Sequence, residues 1–302
     1  MKTSVVICTR NPRPDVFPRV LAALAGQTLP CADWEIVVID NGSTPPVSVT
    51  PPPGSPALRI VVEPQPGLTL ARIRGIRESR GDLIVFVDDD NLLDPNFLET
   101  ALRLAASFPQ IGVFGGRISG EFEASPPEWL VPFLSHLALA DFPRDEWSSL
   151  ADDRAVLPCG AGLCVRRSAA ERWARHVEAD PRRLALDRVG DKTLACGDTD
   201  LVLTCLDHGY GSGRFTALHL THVIPVSRLE HAYHCQLARD IGWSWGRLQA
   251  IRGQTSFGRR SIAFGKACLA FLGVKNRGKA RQLDLAYHAG AWRGLFSPDS
   301  PP

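Results

Sequence analysis

The chain is expected to fold as an α/β protein with a doubly wound sheet, and three observations carry that expectation. Short apolar or β-branched runs recur at residues 3–9, 34–39, 58–62, 83–87 and 111–118. Buried parallel strands look like this, apolar with little alternation. Segments with apolar residues at helical spacing separate them. Turn clusters such as Asn11-Pro12-Arg13-Pro14 and Asp40-Asn41-Gly42-Ser43 mark where strands end. Strands that alternate with helices build a parallel-rich sheet. Ligands of such sheets bind at the carboxyl ends of the strands.

Each element has its own warrant. Residues 15–27 place Val16, Val20, Leu21 and Leu24 on one helical face. Residues 45–56 hold six prolines and read as an irregular surface loop, because proline donates to no ladder. A second helix is expected over 67–79. Asp94-Pro95 opens a third, with Pro95 where its missing N–H costs nothing. Between 120 and 155, Pro126, Pro127, Pro132 and Pro143 interrupt any long element, so a loop-rich insertion or lid is expected. Residues 157–163 form a glycine-bearing turn, and Ser168 caps the helix after it. Gly197 begins another helix, running to about His208. A strand over 214–220 is followed by His222. From 228 onward the pattern is helical, with glycine breaks near 242–246, 253 and 273.

Composition narrows the function. With 302 residues and 44% hydrophobic content, the chain has ample material for a core, which excludes wholesale disorder. Thirty-four basic against 32 acidic residues give a net charge of +2, unlike a dedicated nucleic-acid binder. The charge is uneven: residues 239–281 carry ten Lys/Arg and one acid, Asp240, leaving the rest of the chain acidic. The eight cysteines include no CxxC pair, so reduced, buried thiols are expected rather than a zinc site. Met1-Lys2-Thr3 leads directly into a strand-like run, and no stretch reaches the roughly 18 apolar residues of a membrane span. The expected location is cytoplasmic, with peripheral attachment to the inner face of the plasma membrane as the option the basic tail opens.

Four features carry chemistry. Asp88-Asp89-Asp90 ends an apolar strand. Adjacent carboxylates repel; a divalent cation removes that cost, and hard oxygen ligands suit Mg²⁺ or Mn²⁺. The alternative is a solvated acidic turn. Asp198 and Asp200 lie in a helix's first turn, where the dipole favours acids in any case, yet a carboxylate there can also serve as a general base. His222 follows a strand, where neutral imidazole would suit Mn²⁺ better than Mg²⁺. In Gly160-Ala161-Gly162, the absence of bulky side chains would let the backbone approach a ligand, or would simply make a tight loop.

These motifs, in this order, resemble the inverting family 2 glycosyltransferases of the GT-A fold, over roughly residues 3–225. Ser4-Val5-Val6-Ile7-Cys8-Thr9-Arg10-Asn11 resembles the opening strand, with Cys8 replacing the usual proline. Val37-Val38-Ile39-Asp40-Asn41-Gly42-Ser43 resembles the V-V-D-[ND]-G-S motif, and Gly67 with Ala71-Arg72-Ile73-Arg74-Gly75 resembles G-x-x-x-A-R-N-x-G. Asp88-Asp89-Asp90 resembles the DxD metal motif. Gly197-Asp198-Thr199-Asp200-Leu201 resembles G-E-D-x-D-L, with Gly197 where Glu is usual. The resemblance implies a Rossmann-like mixed sheet flanked by helices, with a helical C-terminal extension. It implies Thr9, Arg10, Asp40, Arg72, Asp88 and Asp89 as donor-nucleotide contacts. Asp90 and His222 would be metal ligands, and Gly160, Ala161, Gly162 and Asp200 would line the acceptor or donor sugar. The general base falls on Asp198, with Asp200 as the alternative.

The expected domains are 1–227, the catalytic part (1–118 nucleotide-binding, 119–227 acceptor-binding), and 228–302, the basic extension. The implied activity is metal-dependent transfer from a nucleotide-diphosphate sugar, a UDP-sugar first, to a glycan or lipid-linked acceptor in polysaccharide biosynthesis. The cofactor would be Mn²⁺ or Mg²⁺. The rival readings are an inactive nucleotide-sugar-binding scaffold and a nucleotidyltransferase. The latter is disfavoured because no glycine follows the first strand until Gly26. The 239–281 stretch mixes its basic residues with Trp243, Trp245, Phe257, Phe264 and Phe271, and reads either as a face for anionic membrane or as a helical extension with a solvated basic side.

Overall fold

The computed structural model describes residues 1–153, 156–190, 192–254 and 278–296. They divide into two compact units. The first comprises Met1–Glu121, Ala138–Ala179 and Leu201–Ile224, and the second Phe122–Leu137, Asp180–Asp200 and Pro225–Pro302. Where a single cut after 227 was expected, the second unit also takes two stretches from inside the chain.

In the first unit, nine strands among the described residues form one mixed sheet. They are β1 (Thr3–Thr9), β2 (Trp34–Asp40), β3 (Ala57–Val62), β4 (Leu83–Asp88), β5 (Asn91–Leu93), β6 (Ile111–Phe122), β7 (Glu146–Ser148), β8 (Leu163–Arg166) and β9 (Gly211–Ile224). The order is β3-β2-β1-β4-β8-β6-β9-β5, with β7 also on β9. The run β3-β2-β1-β4 is parallel, and β8 reverses the direction. β1 and β2 lie almost wholly in the interior, which is why they read as unbroken apolar runs. Helices α1 (Phe17–Ala25), α2 (Leu68–Glu78), α3 (Phe97–Ser107) and α4 (Arg167–Ala179) flank the sheet. Phe17, Val20, Leu21 and Leu24 are the buried face of α1, each contributing about 1.5–3 kcal/mol of transfer free energy. Gly75 lets α2 sit against β1: a Cβ there would lie 2.3 Å from Val6 Cγ1.

Some elements differ from expectation. β9 is fourteen residues long, so His222 lies within the strand rather than after it. Asp94-Pro95 does not open α3, which starts at Phe97; the three residues of β5 precede it, too few for any sequence period. Ser168 is inside α4 rather than at its cap, and its hydroxyl is 2.9 Å from the Tyr210 hydroxyl. Within 120–155 the chain forms a 3₁₀ helix, Glu128–Leu137, and the short strand β7. Of the thiols, Cys164, Cys196 and Cys205 are buried as expected, whereas Cys8, Cys159 and Cys235 are half-buried and Cys31 is exposed.

Helix α5 (Gly197–Asp207) begins in the second unit, whose other α-helices among the described residues are α6 (His231–Ile251) and α7 (Lys279–Phe296). The glycine break expected near 242–246 does not occur: α6 runs straight through. Gly242, Gly246, Gly290 and Gly294 sit where the two helix backbones meet. Cβ atoms on them would lie 2.1, 2.3, 2.0 and 2.1 Å from the carbonyl oxygens of Tyr287, Ala291, Arg239 and Trp243. Glycine here serves close approach. Gly253 does end the helix region, with φ +68°. Asp240, Trp243 and Arg247, from the stretch read as a membrane face, are buried at 3%, 0% and 5% exposure. The apolar run 261–274, the break at 273 and Cys268 lie outside the described residues. Among those described, no helix is long and apolar enough to cross a membrane.

Candidate active site

In the first unit, the carboxyl ends of β2, β1 and β4 lie side by side, with Thr9 in register with Asp40 and Cys8 with Asp88. Thr9 is buried, and its hydroxyl donates to Asp89 Oδ2, tying the tip of β1 to the acidic turn. Arg10, one residue on, is exposed. Asp40 is 2% exposed. Its Oδ1 accepts from the Ser43 N–H and its Oδ2 from the Val47 N–H, each at 2.9 Å. Burial alone would raise this carboxyl; the Ser43 hydroxyl and the two backbone N–H groups outweigh it and hold the group below its usual range. The charged form therefore orders the loop after β2.

Asn41 is a residue that sequence reasoning passed over. Its Nδ2 donates to the carbonyls of Glu63 (3.0 Å) and Gln65 (2.7 Å), and its Oδ1 accepts from Gly67 N (2.8 Å). One amide thus joins the turn after β2 to the start of α2. Gly67 takes φ +145°, which explains the glycine that opens the α2 motif. Asn11, at φ +53°, accepts from Thr44 N through its side chain and donates its own N–H to Ser43 Oγ.

The acidic turn meets β9 across the sheet. Asn91 pairs in register with His222, and Val223 N donates to the Asp90 carbonyl at 2.9 Å. Asp90 Oδ2 lies 3.3 Å from His222 Nε2, with His222 5% exposed. Asn91, 1% exposed, donates from Nδ2 to Asp90 Oδ1 at 3.0 Å. Nothing but its place beside three aspartates signalled that role. His219, three residues before His222 on the strand, falls on the opposite face. There its Nδ1 lies 3.0 Å from Asp94 Oδ2 and its Nε2 2.8 Å from Ser119 Oγ.

A divalent cation is chemically compatible with the Asp90–His222 pair. One carboxylate and one imidazole suit Mn²⁺ better than Mg²⁺. Among the described residues no group of three or more His, Cys, Asp or Glu side chains is arranged to hold a metal. A cation here would complete its coordination with substrate oxygens and water.

Arg72, expected to contact nucleotide, is 5% exposed, with its guanidinium carbon 6.0 Å from the centre of the Phe86 ring. Gly160, Ala161 and Gly162 are all buried. A Cβ on Gly162 would lie 2.5 Å from Leu220 Cδ2 and 3.2 Å from the Phe97 ring, and its φ is +68°. Packing and backbone conformation account for that glycine.

The second unit holds the other carboxylates. Cys196 takes φ +102°, rare for a residue with a Cβ, and its carbonyl accepts from Asp200 N at 2.8 Å. Asp200 is 1% exposed and forms an ion pair with Arg183. Asp198 is half-buried, and its Oδ1 accepts from Thr199 N at 2.7 Å. The two candidates for the base are thus in different environments: Asp200 is locked by a guanidinium, while Asp198 is the more accessible. Asp187, 5% exposed, fills the space at Gly197, with Oδ2 2.2 Å from where a Cβ would stand. The Cys196 thiol is pushed well up, by burial first and then by the carboxylates of Asp198, Asp187 and Asp200.

Comparison with known proteins bears on the family and the fold. A family model described as Glycosyl transferase family 2 matches residues 4–161, 158 of the 302 residues. An N-acetylglucosaminyltransferase of Sinorhizobium fredii is 26% identical over 55% of this chain and 40% of its own length. A glucosyl-dolichyl phosphate glucuronosyltransferase of Haloferax volcanii is 24% identical over 43% of this chain and 42% of its own. The chain therefore spans less than half of the curated relatives it matches. Among solved structures, S. aureus TarS 1-349 in complex with UDP-GlcNAc superposes with a TM-score of 0.52 at 14% identity, covering 97% of this chain and 91% of that one. That likeness bears on the fold, which is the mixed α/β sheet of the GT-A type. With the family model spanning more than half of its length, the chain belongs to glycosyl transferase family 2.

Proposed function

We propose that the protein transfers a sugar, with inversion, from a nucleotide-diphosphate donor to a glycan or lipid-linked acceptor, with a divalent cation at Asp90 and His222 and Asp198 as the general base. The observation that carries this reading is the Asp90–His222 pair at the carboxyl end of the sheet, 3.3 Å apart. The relatives support the donor and acceptor classes by name: one is an N-acetylglucosaminyltransferase, and another acts on glucosyl-dolichyl phosphate. The TarS complex with UDP-GlcNAc makes that sugar nucleotide the first donor to test.

In this reading, Asp40, Thr9 and Asp89 fix the loops that receive the nucleotide, and Asp88 and Arg72 complete the donor side. When bound, a cation at Asp90 and His222 would neutralise the diphosphate as a Lewis acid. Asp198 takes the proton of the acceptor hydroxyl as its oxygen attacks the anomeric carbon. The C–O bond to the acceptor forms, the bond to the diphosphate breaks, and the nucleoside diphosphate leaves with the electron pair. Asp200, neutralised by Arg183, shapes the helix start without itself accepting the proton. Measurement of UDP release from UDP-GlcNAc tests the base: Asp198→Asn should keep donor affinity and lose turnover by at least about a hundredfold. Near-normal turnover in that variant would remove the assignment.

A further inference from the structure

The stretch 187–196, which leads into α5 and Asp198, has no helix or strand among its described residues. Its backbone polar groups must find partners elsewhere; α6 supplies them for Thr193 N and Ala195 N, and also bonds the Arg182 carbonyl in the 3₁₀ helix Pro181–Leu186 just before it. Asp240, Ser244 and Arg247 are spaced i, i+4, i+7, so they share one face of the helix. They are 3%, 0% and 5% exposed. Asp240 Oδ2 accepts from Thr193 N at 3.0 Å and from Thr193 Oγ1 at 2.7 Å. Ser244 Oγ accepts from Ala195 N at 3.1 Å. Arg247 Nε donates to the Arg182 carbonyl at 3.1 Å, while its guanidinium lies 5.4 Å from the centre of the Trp243 ring.

We propose that Asp240, Ser244 and Arg247 are positioning residues for the acceptor-side carboxylates, so that α6 acts as the template on which the general base is aimed. The three contacts bracket the segment: Arg247 holds it before Asp187, while Asp240 and Ser244 hold it just before Cys196. The last fixed residue, Ala195, is followed by the left-handed Cys196, and Asp198 comes two residues later. Strained backbone persists only where its surroundings over-determine it, and the bonds to Thr193 and Ala195 do so here. The other side of α6 is committed to α7 through Gly242 and Gly246. The helix is therefore held by its glycine face and presents its polar face to the segment.

This inference rests on Asp198 as the base, and the test keeps the two apart. The probe is UDP-GlcNAc with Mn²⁺ and water as acceptor, read as UDP release. UDP affinity by calorimetry, melting temperature, and deuterium exchange of peptides over 187–200 are read alongside. Ser244→Ala and Asp240→Leu should lower kcat by about tenfold to a hundredfold, since small misplacements of a catalytic group cost that much. Donor KM and UDP affinity should stay within about twofold, and exchange over 187–200 should accelerate. Asp240→Asn, which keeps an oxygen for Thr193, should retain kcat within about threefold. A lower melting temperature with unchanged kcat per folded molecule would reduce these residues to structural support and overturn the proposal. Should Asp240→Leu fail to fold, Ser244→Ala alone decides. Undiminished turnover in Asp198→Asn would sink the base assignment. Loss of turnover in Asp198→Asn, with full turnover in Ser244→Ala and Asp240→Leu, would sink only the positioning role.

Discussion

Replacing Gly290 by alanine inserts one methyl group between two helix backbones. The added Cβ would lie 2.0 Å from the Arg239 carbonyl oxygen, 2.9 Å from its carbonyl carbon and 3.0 Å from Trp243 N. Contacts under 3.0 Å are essentially never seen for a real Cβ, so α6 and α7 must part by about 1 Å locally. Neither obstacle is a side chain that could rotate away. Overpacking of this kind costs typically 1–3 kcal/mol, and an immovable backbone puts the value near the top of that range. Alanine returns about 0.8–1.0 kcal/mol through its better helix propensity. The net expectation is about 2 kcal/mol, or roughly 4–8 °C in melting temperature for a unit of this size. Urea unfolding of the variant beside Gly278→Ala provides the measurement. Gly278 has nothing within 4 Å of its added Cβ and should change stability by no more than about 0.5 kcal/mol. If Gly290→Ala proved as stable as the parent protein, the close backbone contact would be refuted.

Other outcomes follow from buried polar groups. His136 and His234 are both held below the ordinary imidazole value, chiefly by burial; the Asp284 carboxylate and the Arg228 carbonyl respectively act in the opposite direction. Each has a buried Nδ1 with no hydrogen-bond partner. With folded values below the unfolded value of about 6.5, the unfolded chain binds more protons as pH falls through that range. The stability these residues confer is therefore complete above about pH 6.5 and lost on acidification. Urea midpoints at about pH 7.5 and 5.5 should differ, and His136→Phe should flatten the dependence; a midpoint unchanged by pH would contradict this. Asp40→Ala leaves the Ser43 and Val47 N–H groups without their carboxylate and should cost about 2 kcal/mol. Its effect should vanish at low pH, because the depressed Asp40 carboxyl stabilises the fold only above its folded value. Denaturant midpoints at neutral and acid pH test both statements.

Much of the first unit could be read from the sequence because its central strands β1, β2 and β4 are buried on both faces and its turns carry Gly, Pro, Asn and Asp. The three aspartates at the end of β4, and His222 just beyond an expected strand, were visible as chemistry at the edge of apolar runs. Four things were hidden. Asn41 acts through a side-chain amide whose partners are distant in sequence, and Asn91 through one that bonds to the adjacent Asp90, and no periodicity records either. β5 is shorter than any period. Gly242 and Gly246 of α6 read as a break because propensity weighs the single residue, while the helix uses them for contact with α7. The polar stripe Asp240, Ser244 and Arg247 was submerged in a basic count that recorded charge without burial.

The central claim is a donor site built on Asp90 and His222. Calorimetric titration of UDP into the protein, with and without Mn²⁺, tests it most directly. GDP and dTDP serve as nucleotide controls. UDP binding should depend on the metal, and Asp90→Ala and His222→Ala should each abolish the metal-dependent part. His219→Ala, on the opposite face of the same strand, should leave it intact. Metal-dependent UDP binding that survives loss of both Asp90 and His222 would contradict the account.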